Sequence, residues 1–321
     1  MIDVDDVPRV IEAERDRGDR VFRASSRAAS ALVLVLMALI FLFLLTRGWN
    51  ALHRAGWGFF TRSQWSPEGG TFGIAAALLG TVLIAGFAIL IAVPISIGTS
   101  LFLVEYSPRR FRRPLNSLVD LLAAIPSLIF GLWGRATLMP RAINVARWLT
   151  THLAFVPLLS TKTALYTTST FIAGVVVAIM IVPICTAVMR EVFSQAPVGE
   201  KEGALALGST KWGVIRTVVL PFGRGGVIGG SMLGLGRALG ETIAVTLIIS
   251  PTFDLHTLTR PLENGGNSIA SLIALKWSES GDFGQSALIA AGLVLFVMTL
   301  GVNAIASTIV NRSRSGATTE I

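Results

Sequence analysis

Residues 227–249 read VIGGSMLGLGRALGETIAVTLII, and the reading of this run decides the class of the whole chain. It is long enough to cross a bilayer, which takes about 20 mostly apolar residues, yet it carries Arg237 and Glu241 near its middle. Composition settles the question of the bilayer. Of 321 residues, 52% are hydrophobic and 14% charged, against roughly a quarter charged in a soluble domain. The chain is read as an all-α polytopic membrane protein.

Working outward, five further apolar runs stand out, at 28–45, 73–104, 115–132, 171–189 and 286–310. None alternates as a barrel strand does, so six transmembrane helices are expected. The corresponding division is a segment 1–27 with interspersed acids and bases, an anchor helix 28–45, a transmembrane domain 73–310 and a tail 311–321. The first run is read as a retained anchor rather than a secretion signal, because its apolar core is too long and no small-x-small site follows it.

The basic residues orient the spans. Seventeen of them, including Arg9, Arg15, Arg23, Arg109, Arg113, Arg190, Lys201 and Lys211, fall on one side, nine on the other, and Arg237 inside. The positive-inside rule then places both termini in the cytoplasm. The net charge of +8 is accounted for in this way, without nucleic acid as a partner. Six of the seven tryptophans fall in or beside the opposite loops, where interfacial aromatics belong. Residues 140–153 have apolar side chains at helical spacing and are either an interfacial helix or an ordered loop.

Bond-breaking chemistry has no constellation here. Cys185 is the one cysteine, and His53, His152 and His256 are scattered without ligand spacing, so no metal site is expected. GALALGSTK, at 203–211, approaches a phosphate-binding loop, but Ser209 stands where the lysine must be and no strand precedes it. The chain is not expected to hydrolyse ATP itself or to hold a cofactor.

The loop 196–221, APVGEKEGALALGSTKWGVIRTVVLP, predicts a helix after Pro197, a stop at Gly208, an N-cap at Ser209/Thr210 and a second helix up to Pro221. Physics alone leaves it a surface connector or a docking element. Its spacing is sharper. Glu202-Gly203-Ala204, Gly208, Val218 and Leu220-Pro221 resemble the EAA loop of bacterial ABC import permeases, with Gly203 and Val218 departing conservatively from it. The resemblance implies a type I ABC importer fold, in which Glu202, Gly203, Ala204, Gly208, Leu220 and Pro221 couple a separate ATPase, with its ATP and Mg2+, to the spans.

An intramembrane arginine costs about 2.5–3.5 kcal/mol on insertion scales and calls for a partner. Glu241 is expected one helical turn from Arg237 and on the same face. The pair is either a self-neutralising structural tie or part of an anion path or gate. In the second reading Arg237 supplies charge and forked donors, and Glu241 accepts from the P–OH that phosphate keeps and sulfate lacks. Gly226, Gly230, Gly234, Gly236 and Gly240 make a small-residue face for close packing on another span, of this chain or of another subunit.

GLGRALGETIAV (234–245), VPISIGTSLFLVEYSPRR (93–110) and AAIPSLIFGLWG (123–134) are similar to PstC-type permeases of the phosphate-specific ABC transporter family. That resemblance implies a bacterial inner-membrane phosphate importer whose partners are a PstA-like permease, a PstB-like ATPase dimer and a PstS-like binding protein. A permease for another oxyanion or small solute stays open, as does, from a different class, an ion-coupled carrier using the pair as a proton relay. Pro94, Pro126 and Pro183 interrupt three spans, either as packing kinks or as cavity lining.

Overall fold

The fold was analysed in a computed structural model. The described residues are 17–153, 155–156, 161, 165–255 and 259–314; Arg9, Arg15, Lys162, His256 and the last residues of the tail lie outside them. They divide into two compact units, Met1–Thr46 and Arg47–Ile321.

Helix α1 (Arg17–Ala55) begins in the first unit. The division at residue 27 is not visible in it, because the helix runs unbroken through the basic stretch into the apolar one. Leu32, Leu34, Leu39 and Phe43 are exposed along it, the surface expected of a helix whose solvent is lipid.

The second unit holds α2 (Gly58–Thr61), a hairpin of β1 (Trp65–Ser66) and β2 (Thr71–Phe72), α3 (Ala75–Leu101), α4 (Arg109–Ala123), α5 (Ser127–Trp133) and α6 (Met139–His152). Then come α7 (Thr170–Ser194), α8 (Val198–Ala206), α9 (Lys211–Val214), α10 (Leu220–Phe222), α11 (Arg224–Leu239) and α12 (Ile243–Ile248). Helices α13 (Ile269–Lys276) and α14 (Asp282–Arg314) complete it. One π-helical turn, Phe102–Tyr106, extends α3.

Among the described residues, four helices are long and apolar enough to span a membrane by themselves: those at Gly18–Ala55, Ala75–Tyr106, Thr170–Ser194 and Asp282–Thr308. Two bent helix pairs, each taken as one span, bring the number to the expected six. The run 115–132 breaks at Pro126, with an 89° bend between Arg109–Ala123 and Ser127–His152. Proline lacks the N–H for an interior helical bond but is tolerated where a helix begins, so Pro126 starts α5 instead of kinking one span. The second pair is Lys211–Phe222 with Arg224–Leu239, bent by 66°; the run 227–249, expected as one span, is itself two helices, α11 and α12, separated at Gly240–Thr242. Residues 140–153 do form a helix, α6.

Helix α7 is the hub. Ile172, Val176, Val177, Ile181, Cys185, Met189 and Phe193 are all buried, and its apolar window is 67% buried, as a helix apolar all round must be. Helix α3 lies along it through Ile84, Ala88 and Ala92, spaced one turn apart. Ser96 Oγ donates to the Val182 carbonyl at 3.1 Å, tying α3 to α7 beside Pro183. A smaller cluster forms where Phe72 meets Phe59 and Phe283 edge-on, with ring centroids 6.1 and 5.5 Å apart.

Candidate functional site

The loop 196–221 folds from local chemistry. Pro197 precedes α8 with φ −56°, where its fixed dihedral suits a helix start. Gly208 ends the turn at φ +84°, a left-handed conformation that a side chain disfavours. Thr210 then caps α9, its hydroxyl accepting from the Gly213 N–H at 3.1 Å. The second helix continues through a π-helical turn, Ile215–Val219, into α10.

Exposure sorts the residues of the EAA-like pattern. Glu202, Gly203 and Gly208 are exposed, and so are Leu205 and Leu207. Ala204, Val218 and Leu220 are half-buried and pack on the main core; Pro221, beside Leu220, is exposed. The space around a Cβ at Gly203 is open, so the alanine of the pattern would fit there. One side of α8 therefore grips the bundle while the other is presented outward.

Two contacts that motif reading missed join this loop to the end of α3. Lys201 Nζ pairs with Glu105 Oε1 at 2.6 Å, with side chains 18% and 19% exposed. Lys211 Nζ lies 5.7 Å from the Tyr106 ring centroid, within cation–π range. Ninety-six positions separate Lys201 from Glu105, and no local pattern signals such a pair.

Helix α11 packs through its glycines onto α7 of the same chain. A Cβ at Gly226 would come within 2.5 Å of Val192, one at Gly230 within 3.2 Å of the Cys185 carbonyl, and one at Gly234 within 2.5 Å of Cys185 Sγ. This part of the stripe is thus spent inside the chain. Gly236 and Gly240 do not join it. A Cβ at Gly236 would lie 3.9 Å from Oδ1 of Asn303 in α14, and Gly240 ends α11.

Arg237 and Glu241 are parted by the break. Because α11 stops at Leu239, Glu241 is not one helical turn beyond Arg237, which corrects the same-face expectation. Glu241 is buried, 8% exposed, and its Oε1 accepts from the Ala244 N–H at 3.1 Å in the first turn of α12. A carboxylate at a helix N-terminus satisfies an orphan donor and meets the positive end of the dipole. Arg237 is exposed, and among the described residues it enters no ion pair. It lines a cavity of about 430 Å3 with Ile184, Met232, Leu233, Gly236 and Asn303.

The third sequence stretch supports α12 from outside. Gly131 of α5 lets the Ala244 backbone approach to where a Cβ would sit 2.9 Å from its Cα. Arg135 Nη1 donates to the Leu247 carbonyl at 2.9 Å, near the C-terminal end of α12.

Comparison with known proteins bears on this arrangement. Residues 92–315 match the family described as binding-protein-dependent transport system inner membrane component. The phosphate transport system permease protein PstC 2 of Mycobacterium tuberculosis is 43% identical over 310 residues, 94% of each chain. The PstC proteins of Xylella fastidiosa (strain 9a5c) and Haemophilus influenzae are 41% and 40% identical, over 90% and 88% of this chain and 90% and 89% of theirs. A bacterial ABC transporter structure involved in import of the acidic polysaccharide alginate superposes with a TM-score of 0.57 at 18% identity, over 91% of this chain and 99% of that one.

Proposed function

Since the chain belongs to the family of binding-protein-dependent inner membrane transport components, with PstC permeases as its curated relatives, we propose that it is the PstC-type translocating subunit of an ATP-driven importer of inorganic phosphate. The observation that carries the phosphate reading is the 43% identity, over 94% of each chain, with a phosphate transport system permease. The site adds a chemical reason: Arg237, which enters no ion pair among the described residues, lines a cavity with residues of α7, α11 and α14, and an intramembrane ionisable group marks a permeation path.

The chain itself breaks no bond. ATP and Mg2+ act in a separate ATPase, which engages the outward side of α8 around Glu202, Gly203 and Gly208. Ala204, Leu220 and Pro221 pass its motion to the bundle. A PstA-like permease, a PstB-like ATPase dimer and a PstS-like binding protein complete the assembly in the bacterial inner membrane, with both termini cytoplasmic.

Within this reading Arg237 draws the anion into the path, while Glu241 holds the α11–α12 break in shape. The test is labelled phosphate uptake in cells whose only copy is wild type, Arg237→Gln or Glu241→Gln, with complex assembly followed in membranes. Both variants are expected to assemble and to lose uptake. Wild-type rates in assembled Arg237→Gln complexes would refute the path.

A further inference from the structure

Once Glu241 is assigned to the first turn of α12, the cavity beside Arg237 has a different polar companion. Asn303 of α14 is exposed to that cavity, lies against Gly236, and makes no hydrogen bond among the described residues. It interrupts the apolar run LFVMTLGVNAIA, 295–306, where an unsatisfied amide is costly unless protein, water or cargo answers it. The remaining walls, Ile184, Met232 and Leu233, are apolar, which strengthens polar contacts made within them.

We propose that Asn303 is a second cargo-contacting residue: its carboxamide hydrogen-bonds inorganic phosphate while Arg237 neutralises it. The proposal rests on the phosphate reading above. An amide suits this anion because it offers both an acceptor and donors without adding charge. Oδ1 accepts from the P–OH, and Nδ2 donates to an ionised oxygen. A second carboxylate would supply only the acceptor and would offset Arg237. A phosphodiester headgroup has no P–OH to give Oδ1, so free phosphate uses both ends of the amide where such a headgroup uses one.

The test uses the complete complex in proteoliposomes with phosphate-loaded binding protein, reading phosphate accumulated and ATP hydrolysed in the same vesicles. Asn303→Leu removes both hydrogen-bonding groups at similar size, and Asn303→Gln keeps them. Asn303→Leu is expected to lower accumulation at least about tenfold, the scale of a lost hydrogen bond to a charged group. Hydrolysis stimulated by the loaded binding protein stays within about twofold under the same expectation, and Asn303→Gln retains at least about a third of wild-type accumulation. Unchanged accumulation in Asn303→Leu overturns the proposal. So does a parallel fall of accumulation and hydrolysis in both variants, which marks a structural role. A defect that appears only when the vesicles contain anionic lipid reassigns the residue to headgroups. Absence of phosphate accumulation by the wild-type complex would instead overturn the phosphate reading.

Discussion

Glu105→Gln removes the anion that holds α8 to the end of α3. The pair is short, 2.6 Å, and each side chain is about four-fifths buried, so it lies between two measured regimes. Exposed pairs contribute about 0–1 kcal/mol, whereas breaking a fully buried pair costs about 3–5 kcal/mol because the orphaned charge stays desolvated. Lys201 retains enough exposure to swing its ammonium toward water, which puts the loss at about 1–2 kcal/mol, a factor of about 5–30 in the docked-to-undocked ratio. Hydrogen exchange in the assembled complex reads this directly: amide protection in α8 should fall by that factor, while α7 is unaffected. Transport per ATP should fall with it, and the exchanged pair Glu105→Lys with Lys201→Glu should recover at least half of both. Unaltered α8 protection in Glu105→Gln, or a charge exchange as damaged as its parents, would refute the claim that this pair fastens the loop to the span.

Two further outcomes follow from the glycines. Gly234→Leu forces a side chain into Cys185 of α7; expression of folded chain, or its melting temperature in detergent, should drop severely, because overpacking a close helix contact costs about 1–3 kcal/mol or more. The double variant with Cys185→Ala should regain part of the loss. Gly208→Ala meets no atoms but must adopt φ +84°, at a cost of about 1 kcal/mol; ATPase stimulation by the loaded binding protein should weaken without loss of assembly, and undiminished stimulation would show that the turn's geometry is immaterial.

Sequence reading reached furthest where structure follows from neighbouring residues. Pro197, Gly208 and Thr210 lie within a few positions of the turns they shape, and each acts through its own backbone or side chain, so the loop was legible almost residue by residue. Long apolar runs marked α3, α7 and α14 because burial or lipid demands little more than apolar side chains over enough length. What escaped was decided at a distance or by competition between local options. Gly240-Glu241-Thr242 is compatible with a continuous helix and contains no proline; the break appears because the Glu241 carboxylate bonds the Ala244 N–H and α12 is clasped by Gly131 and Arg135 from α5 and the turn after it. That choice dissolved the expected Arg237–Glu241 face. The Lys201–Glu105 tie joins residues far apart in sequence and was invisible for that reason. Asn303 had a signal, a lone amide in an apolar run, but its place beside Arg237 depends on how α14 packs against α11.

The measurement that tests the account most directly is labelled phosphate uptake at low external phosphate in cells lacking this chain, with and without it restored, challenged by excess sulfate and molybdate. The account predicts restored, ATP-dependent uptake that neither competitor diminishes. A fully assembled complex that leaves phosphate uptake unrestored, or uptake that sulfate abolishes, would contradict it.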